Sequence, residues 1–175
     1  ELQSHGIRAL GSTIIGLENH SPENIAQIID YAVSHDTVFH QFMLYTPIPG
    51  TPLYADLDAQ GLMKDPSEFE ESDVHGQLIF NYRHPRIPAG AEGEMMVRAF
   101  TRDFEVNGPS IVRFASVALA GWQRYKNHPD ARIRRRFQWE ARELPTTYAG
   151  LVGAAKRYYR HDAAMRAKMD AVLQG

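Results

Sequence analysis

Val38-Phe39-His40-Gln41-Phe42-Met43-Leu44-Tyr45 runs directly into Thr46-Pro47-Ile48-Pro49-Gly50-Thr51-Pro52. The first segment is apolar and aromatic with a β-branched start, and it reads as a strand. The second cannot extend that strand, because each proline removes a backbone donor and fixes φ. It is a rigid loop at a strand end. Leu53–Gln60 then reads as a short helix closed by Gly61. Upstream, Ile7–Ile15 reads as a buried strand that ends at Gly16. Ser21-Pro22-Glu23 reads as a helix start, with Ser21 as N-cap and Pro22 at the first helical position. Ile25, Ile28, Ile29 and Ala32 follow at helical spacing. The order strand, helix, strand, rigid loop is a β-α-β unit, which needs further parallel strands to cover its faces. The remaining sequence does not supply them.

Downstream the periodicity turns helical. Met96, Val97, Phe100 and Phe104 share one face of a helix over 91–105, and Asn107-Gly108-Pro109-Ser110 stops it and caps the next. Over 111–127, Val112, Ala115, Leu119 and Trp122 form one stripe, and Ile111, Phe114, Ala118 and Tyr125 form another. A helix apolar on so many sides belongs at the centre of a domain. His128-Pro129-Asp130 breaks it. Ile133, Phe137, Ala141 and Leu144 mark a fourth helix, Tyr148 to Tyr159 a fifth, and Met165 to Leu173 a terminal one. Residues 64–86 read as an irregular connector with a short strand at Leu78–Tyr82. The expected fold is an α/β fragment (β-α-β) followed by a mostly α-helical domain, helix-dominated overall. The expected segments are 1–60, 61–90 and 91–175.

Charge divides the 175-residue chain in the same sense. Residues 1–82 carry 12 acids and two bases, and residues 83–175 carry nine acids and 17 bases, for a net charge of −2 overall. There is no cysteine. That excludes disulfides, thiolate zinc sites, a cysteine nucleophile and any cysteine-held iron–sulfur cluster within this chain. No apolar run reaches the length of a membrane span. Glu1–Ser4 lacks the basic and apolar regions of a signal peptide, so a cytoplasmic protein is expected.

Two segments suggest a site. The Thr46–Pro52 loop holds backbone groups rigidly at a strand's C-terminal end, where α/β folds bind ligands, although composition alone favours a proline-stiffened connector. Gly11–Glu18 runs a strand into a glycine turn. Gly16 would allow close approach to the backbone and Glu18 could meet an amine or hydroxyl, but taken alone a plain turn with a solvated glutamate is the favoured reading. The eight histidines show no metal-ligand spacing. The acidic run Glu68–Asp73 reads as a solvated loop. The basic run Arg132–Arg136 reads as the solvated side of a helix whose core face is Ile133 and Phe137, so no nucleic-acid partner is expected. No P-loop, G-x-G-x-x-G or G-x-S-x-G pattern is present.

Together, Gly6-Ile7, Ile14-Ile15-Gly16-Leu17-Glu18, Ser21-Pro22-Glu23-Asn24-Ile25 and Phe42 to Tyr54 with its T-P-x-P-G-T-P-L-Y core resemble the last barrel strands of radical S-adenosylmethionine (SAM) enzymes. The likeness is strongest to the class with an N-terminal cobalamin-binding domain. Gly61–Arg86 and the helical tail are similar to that class's C-terminal extension. The family's G-x-I-x-G-x-x-E motif falls on Ser12–Glu18. Ile14 and Gly16 match, Ser12 replaces the first glycine, and Glu18 comes one position early.

The resemblance implies the end of a partial TIM-like barrel. Ile14 would pack on the adenine of SAM beside Gly16 and Glu18. Tyr45, Thr46 and Pro47 would offer backbone contacts to the adenine edge, and His40, Phe42 or Leu44 would line the barrel. It also implies a parent oxidoreductase or methyltransferase using SAM, a 4Fe-4S cluster and, in the class it is most like, cobalamin. Without the C-x-x-x-C-x-x-C motif the chain binds no cofactor and is inactive alone. It would work with an N-terminal part of its own protein on a small-molecule or lipid-like substrate, and would self-associate through an open sheet edge when isolated. A different reading makes the chain a non-catalytic helical binding or assembly module that docks an acidic partner.

Overall fold

The computed structural model describes residues 1–70 and 78–175. Helix dominates, with one small two-stranded parallel sheet. The elements in order are β1 (Leu10–Ile15), α1 (Ile25–Val33), β2 (Phe39–Leu44), α2 (Pro52–Ala59), α3 (Ala91–Asn107), α4 (Ser110–Tyr125), α5 (Ala131–Ala141), α6 (Ala149–Tyr158) and α7 (Ala163–Gln174). Among the described residues there are also short 3-10 turns at Leu2–His5 and Pro66–Glu68 and a π-helical turn at Leu144–Tyr148. The chain forms two compact units. One comprises residues 12–35 and 40–103; the other comprises residues 1–11, 36–39 and 104–175.

In the first unit, which carries most of both strands, the alternation of side chains sorts the sheet into two unlike faces. Thr13 and Ile15 share a face with His40, Phe42 and Leu44, and Thr13 Oγ1 lies 2.8 Å from His40 Nε2. Ile15, Phe42 and Leu44 are buried against Ile25, Ile29 and Val33 of α1, Leu57 of α2, Met95, Met96 and Ala99 of α3, and Phe80 and Tyr82. Phe42 meets Phe100 edge-on at 5.2 Å. Asp30 of α1 pairs with Arg102 of α3 at 2.7 Å. The other face shows Ser12, Ile14, Gln41 and Met43 to solvent, with Ile14 45% and Met43 37% exposed. Phe42 and Leu44, read from sequence as facing a barrel lumen, thus lie in the core beneath α1. The register turns Ile14 and Met43 to the open face instead.

The first strand and the first helix both begin later than the sequence reading places them. β1 begins at Leu10, not Ile7. The first helix begins at Ile25 with Asn24 as N-cap, not at Ser21. The Asn24 side chain explains the delay: its Oδ1 accepts from Ser21 N–H at 2.9 Å and its Nδ2 donates to Asn19 O at 2.8 Å, holding Ser21–Asn24 as a turn. Leu78–Tyr82 forms no strand; Tyr82 makes one antiparallel bridge with Met63. Of the acidic run, Glu71–Asp73 lie outside the described residues, as does His75. Glu68 caps the turn it ends, accepting from Asp65 N–H at 2.9 Å, and pairs with Arg83 at 3.0 Å.

The second unit is built on α4, as its double stripe predicts. Val112, Ala115, Val117, Ala118 and Gly121 are buried. Val112 and Ala115 pack with Val152, Met165 and Met169. Gly121 is a glycine for a reason: a Cβ there would stand 2.7 Å from the Phe137 ring and 2.8 Å from Gly6 Cα. Asp130 and Asp162 cap α5 and α7, accepting from Arg132 N–H at 2.7 Å and Met165 N–H at 2.9 Å. The basic run serves its own helix. Arg132 pairs with Asp130, Arg136 pairs with Glu140, and Arg134 Nη1 donates to His128 O and Pro129 O.

Candidate functional site

Both strands of the sheet end on the same side, and the candidate site is built there, within the first unit. Tyr45 N–H donates to Ile15 O at 2.7 Å, which aligns the two strand ends. β1 then turns at Gly16, where φ is +92° and a Cβ would stand 2.4 Å from the Phe80 ring. Only glycine meets both conditions. β2 passes into the proline loop, which Thr51 locks: its Oγ1 donates to Ile48 O at 2.7 Å and accepts from Tyr54 N–H at 3.3 Å as the α2 cap.

A strap, Phe80 to His84, crosses these strand ends. Tyr82 OH donates to Gly16 O at 3.1 Å. His84 Nδ1 accepts from the N–H groups of Arg86 (3.1 Å) and Ile87 (3.0 Å), so the ring proton sits on Nε2, which donates to Gly16 O at 3.2 Å. Gly16 N–H in turn donates to Nδ1 of the buried His20 at 3.1 Å. Asn81 Nδ2 donates to Pro47 O at 2.9 Å. The backbone groups at Gly16 are therefore occupied by the protein's own side chains. The Phe80 ring stacks on His84 at 5.3 Å.

Electrostatics follow from this burial. Desolvation, with smaller contributions from Tyr45 and Glu18, pushes the Tyr82 hydroxyl far above the ordinary tyrosine range. It stays a neutral donor to Gly16. Desolvation, and then the proximity of His84, lowers His20 below the ordinary histidine value. His20 stays a neutral acceptor for Gly16 N–H.

Beside the strap lies a polar trio. Met63 bridges Tyr82, and Lys64 N–H donates to Asn81 O at 3.0 Å, so Lys64 and Asn81 stand opposite one another. Lys64 Nζ reaches Glu92 Oε1 at 3.9 Å, an ion pair too long for a hydrogen bond. Glu92 is 2% and Asn81 5% exposed, and among the described residues neither Glu92 Oε2 nor Asn81 Oδ1 has a partner.

Of the residues predicted from sequence, Gly16, Tyr45, Thr46 and Pro47 come together at the strand ends. Thr46 Oγ1 donates to Leu44 O at 3.1 Å, and Pro47 is buried. Ile14 stands on the open face two residues before Gly16. Glu18 is exposed, close enough for its charge to raise Tyr82. The sequence reading missed His20, Phe80, Asn81, Tyr82 and His84. The signal was the density of aromatic and hydrogen-bonding residues in F-N-Y-R-H, which a search for periodicity passes over. Among the described residues no three His, Asp or Glu side chains gather as metal ligands, and no helix is long and apolar enough to cross a membrane.

Compared with family models, curated proteins and solved structures, the chain finds no match in any of the three.

Proposed function

We propose that the chain serves as the C-terminal part of a radical SAM enzyme, of the class that also binds cobalamin. It would form part of the adenosine wall and, through its helices, part of the substrate cover. A partial TIM-like barrel and a cytoplasmic location go with that reading. SAM would supply hydrogen-abstracting chemistry once reduced by a cluster whose cysteines this chain does not contain.

The observation that carries the reading is the open sheet face. In a (β/α) barrel the crossover helix covers one face of each strand and the lumen takes the other. Here α1 packs against the face of Ile15, Phe42 and Leu44, and Ile14 and Met43 stand on the opposite one. Ile14 is also the residue that the family's motif assigns to the adenine. The chain's own task would be positional. Ile14 gives the base an apolar surface, the Gly16 turn is held by Tyr82, His84 and His20, and the Pro47 loop is held by Asn81.

The test is the protein isolated anaerobically from its native source. It should carry iron and sulfide, and should release 5′-deoxyadenosine from SAM under reduction. Ile14→Asp should suppress that release and leave the cluster's absorbance unchanged. An iron-free native product of 19.8 kDa contradicts the reading.

A second reading, a helical module that docks an acidic partner, is favoured by one observation: the surplus of bases, 17 against nine acids, in residues 83–175. It predicts partner capture that weakens steeply with salt. Capture indifferent to salt removes it.

A further inference from the structure

The helical unit contains a cavity of about 490 Å³, within the size range of small-molecule sites. Its wall is mostly apolar: Leu119 and Trp122 come from α4, Leu144 and Tyr148 from the π-helical turn, and Val172 from α7, while Gln138 and Gly175 add polar groups. The turn is a true π-turn, with Tyr148 N–H donating to Glu143 O at 3.0 Å. Such turns are rare and recur at functional sites. This one lies where α5 gives way to α6, and Leu144, Pro145 and Tyr148 of the turn line the wall. The phenol ring of Tyr148 is fixed from behind by stacking on Phe114 at 5.4 Å.

One cation lines this apolar space. The Arg142 guanidinium lies 3.4 Å from the centre of the Trp139 ring, stacked and so held in orientation. Glu143 Oε1 stands 3.4 Å from its Nε, on an exposed pair. The other carboxylate oxygen of Glu143 accepts from Thr147 Oγ1 at 2.8 Å. Glu143 is thus bound into its own turn and does not line the cavity, whereas Arg142 does. A mostly apolar wall with an orientated guanidinium among its described lining residues suits a molecule with an apolar body and one anionic head.

We propose that this cavity is a binding site for an amphipathic carboxylate of the fatty-acid type. Its apolar chain lies among Leu119, Trp122, Leu144, Tyr148 and Val172, and its carboxylate pairs with Arg142. The site belongs to the helical unit alone and does not depend on the radical SAM reading.

Decanoate is the direct probe, with decanol as its uncharged counterpart. The chain's two tryptophans, Trp122 and Trp139, are the wall and the platform of Arg142, so intrinsic fluorescence reports on the site without a label. Decanoate should change that fluorescence saturably. Arg142→Gln should weaken decanoate about fivefold, the upper end for a part-exposed ion pair, and leave decanol unchanged. Ala149→Phe, which fills the cavity, should abolish both responses with the far-ultraviolet dichroism intact. Absence of a saturable response overturns the proposal. So does decanoate binding that Arg142→Gln leaves unchanged, or that survives in a folded Ala149→Phe variant. Arg142 is half exposed, so its replacement tests the head-group assignment even where the filling variant fails to fold.

Discussion

The Tyr82 hydroxyl donates to the carbonyl oxygen of Gly16 across 66 positions of sequence, at 3.1 Å. This bond ties the strap to the end of β1, and burial keeps the phenol un-ionised for it. Tyr82→Phe removes the donor and leaves His84 on the same carbonyl. The expected loss is about 1 kcal/mol of unfolding free energy, measured by urea titration. A loss below the error of that titration would show that the bond holds nothing.

Gly16 is constrained twice, by its positive φ and by the Phe80 ring. Gly16→Ala is expected to cost about 2–3 kcal/mol, from strain in the left-handed region together with overpacking. Phe80→Leu in the Gly16→Ala background should recover part of that cost, and a double-mutant cycle measures how much. Strictly additive effects would contradict the contact.

A His20 whose folded-state pKa lies below its unfolded one makes stability depend on pH with a definite sign. The unfolded chain binds the extra proton first. The stabilisation is therefore complete above the unfolded value of about 6.5 and is lost as pH falls through the folded value. Unfolding free energy should drop from pH 7 to pH 5, and His20→Asn should flatten that slope. An unchanged slope in the variant removes His20 as its source.

The buried Glu92 carboxylate pairs with the half-buried Lys64 at 3.9 Å, and among the described residues its other oxygen has no partner. Lys64→Met leaves the carboxylate alone and should cost about 3 kcal/mol. Glu92→Gln removes the charge and should lie within about 1 kcal/mol of the parent. Equal losses from the two changes would contradict this ordering.

The parts that proved legible in the sequence share a physical cause. Helical stripes such as Val112, Ala115 and Met165, Met169 are local and periodic, and α5 and α7 start on side-chain caps at Asp130 and Asp162. The β-α-β order was legible because Pro47 and Pro49 can only follow a strand as a loop. The facing of β2 was not, because Phe39, Phe42, Met43 and Leu44 are apolar on both sides and offer no alternation to read. The strap was not legible because Asn81, Tyr82 and His84 act through bonds to Pro47 and Gly16, more than 30 residues away. Predicted site residues clustered where the glycine turn and the proline loop set the backbone. The groups holding that backbone came from a stretch without period.

The most direct test of the central claim is the reductive cleavage of SAM by the natively isolated protein, with and without Ile14→Asp. The account predicts 5′-deoxyadenosine from the parent and a strong reduction in the variant at unchanged cluster content. Full activity with aspartate at position 14, or a native protein without iron, would contradict it.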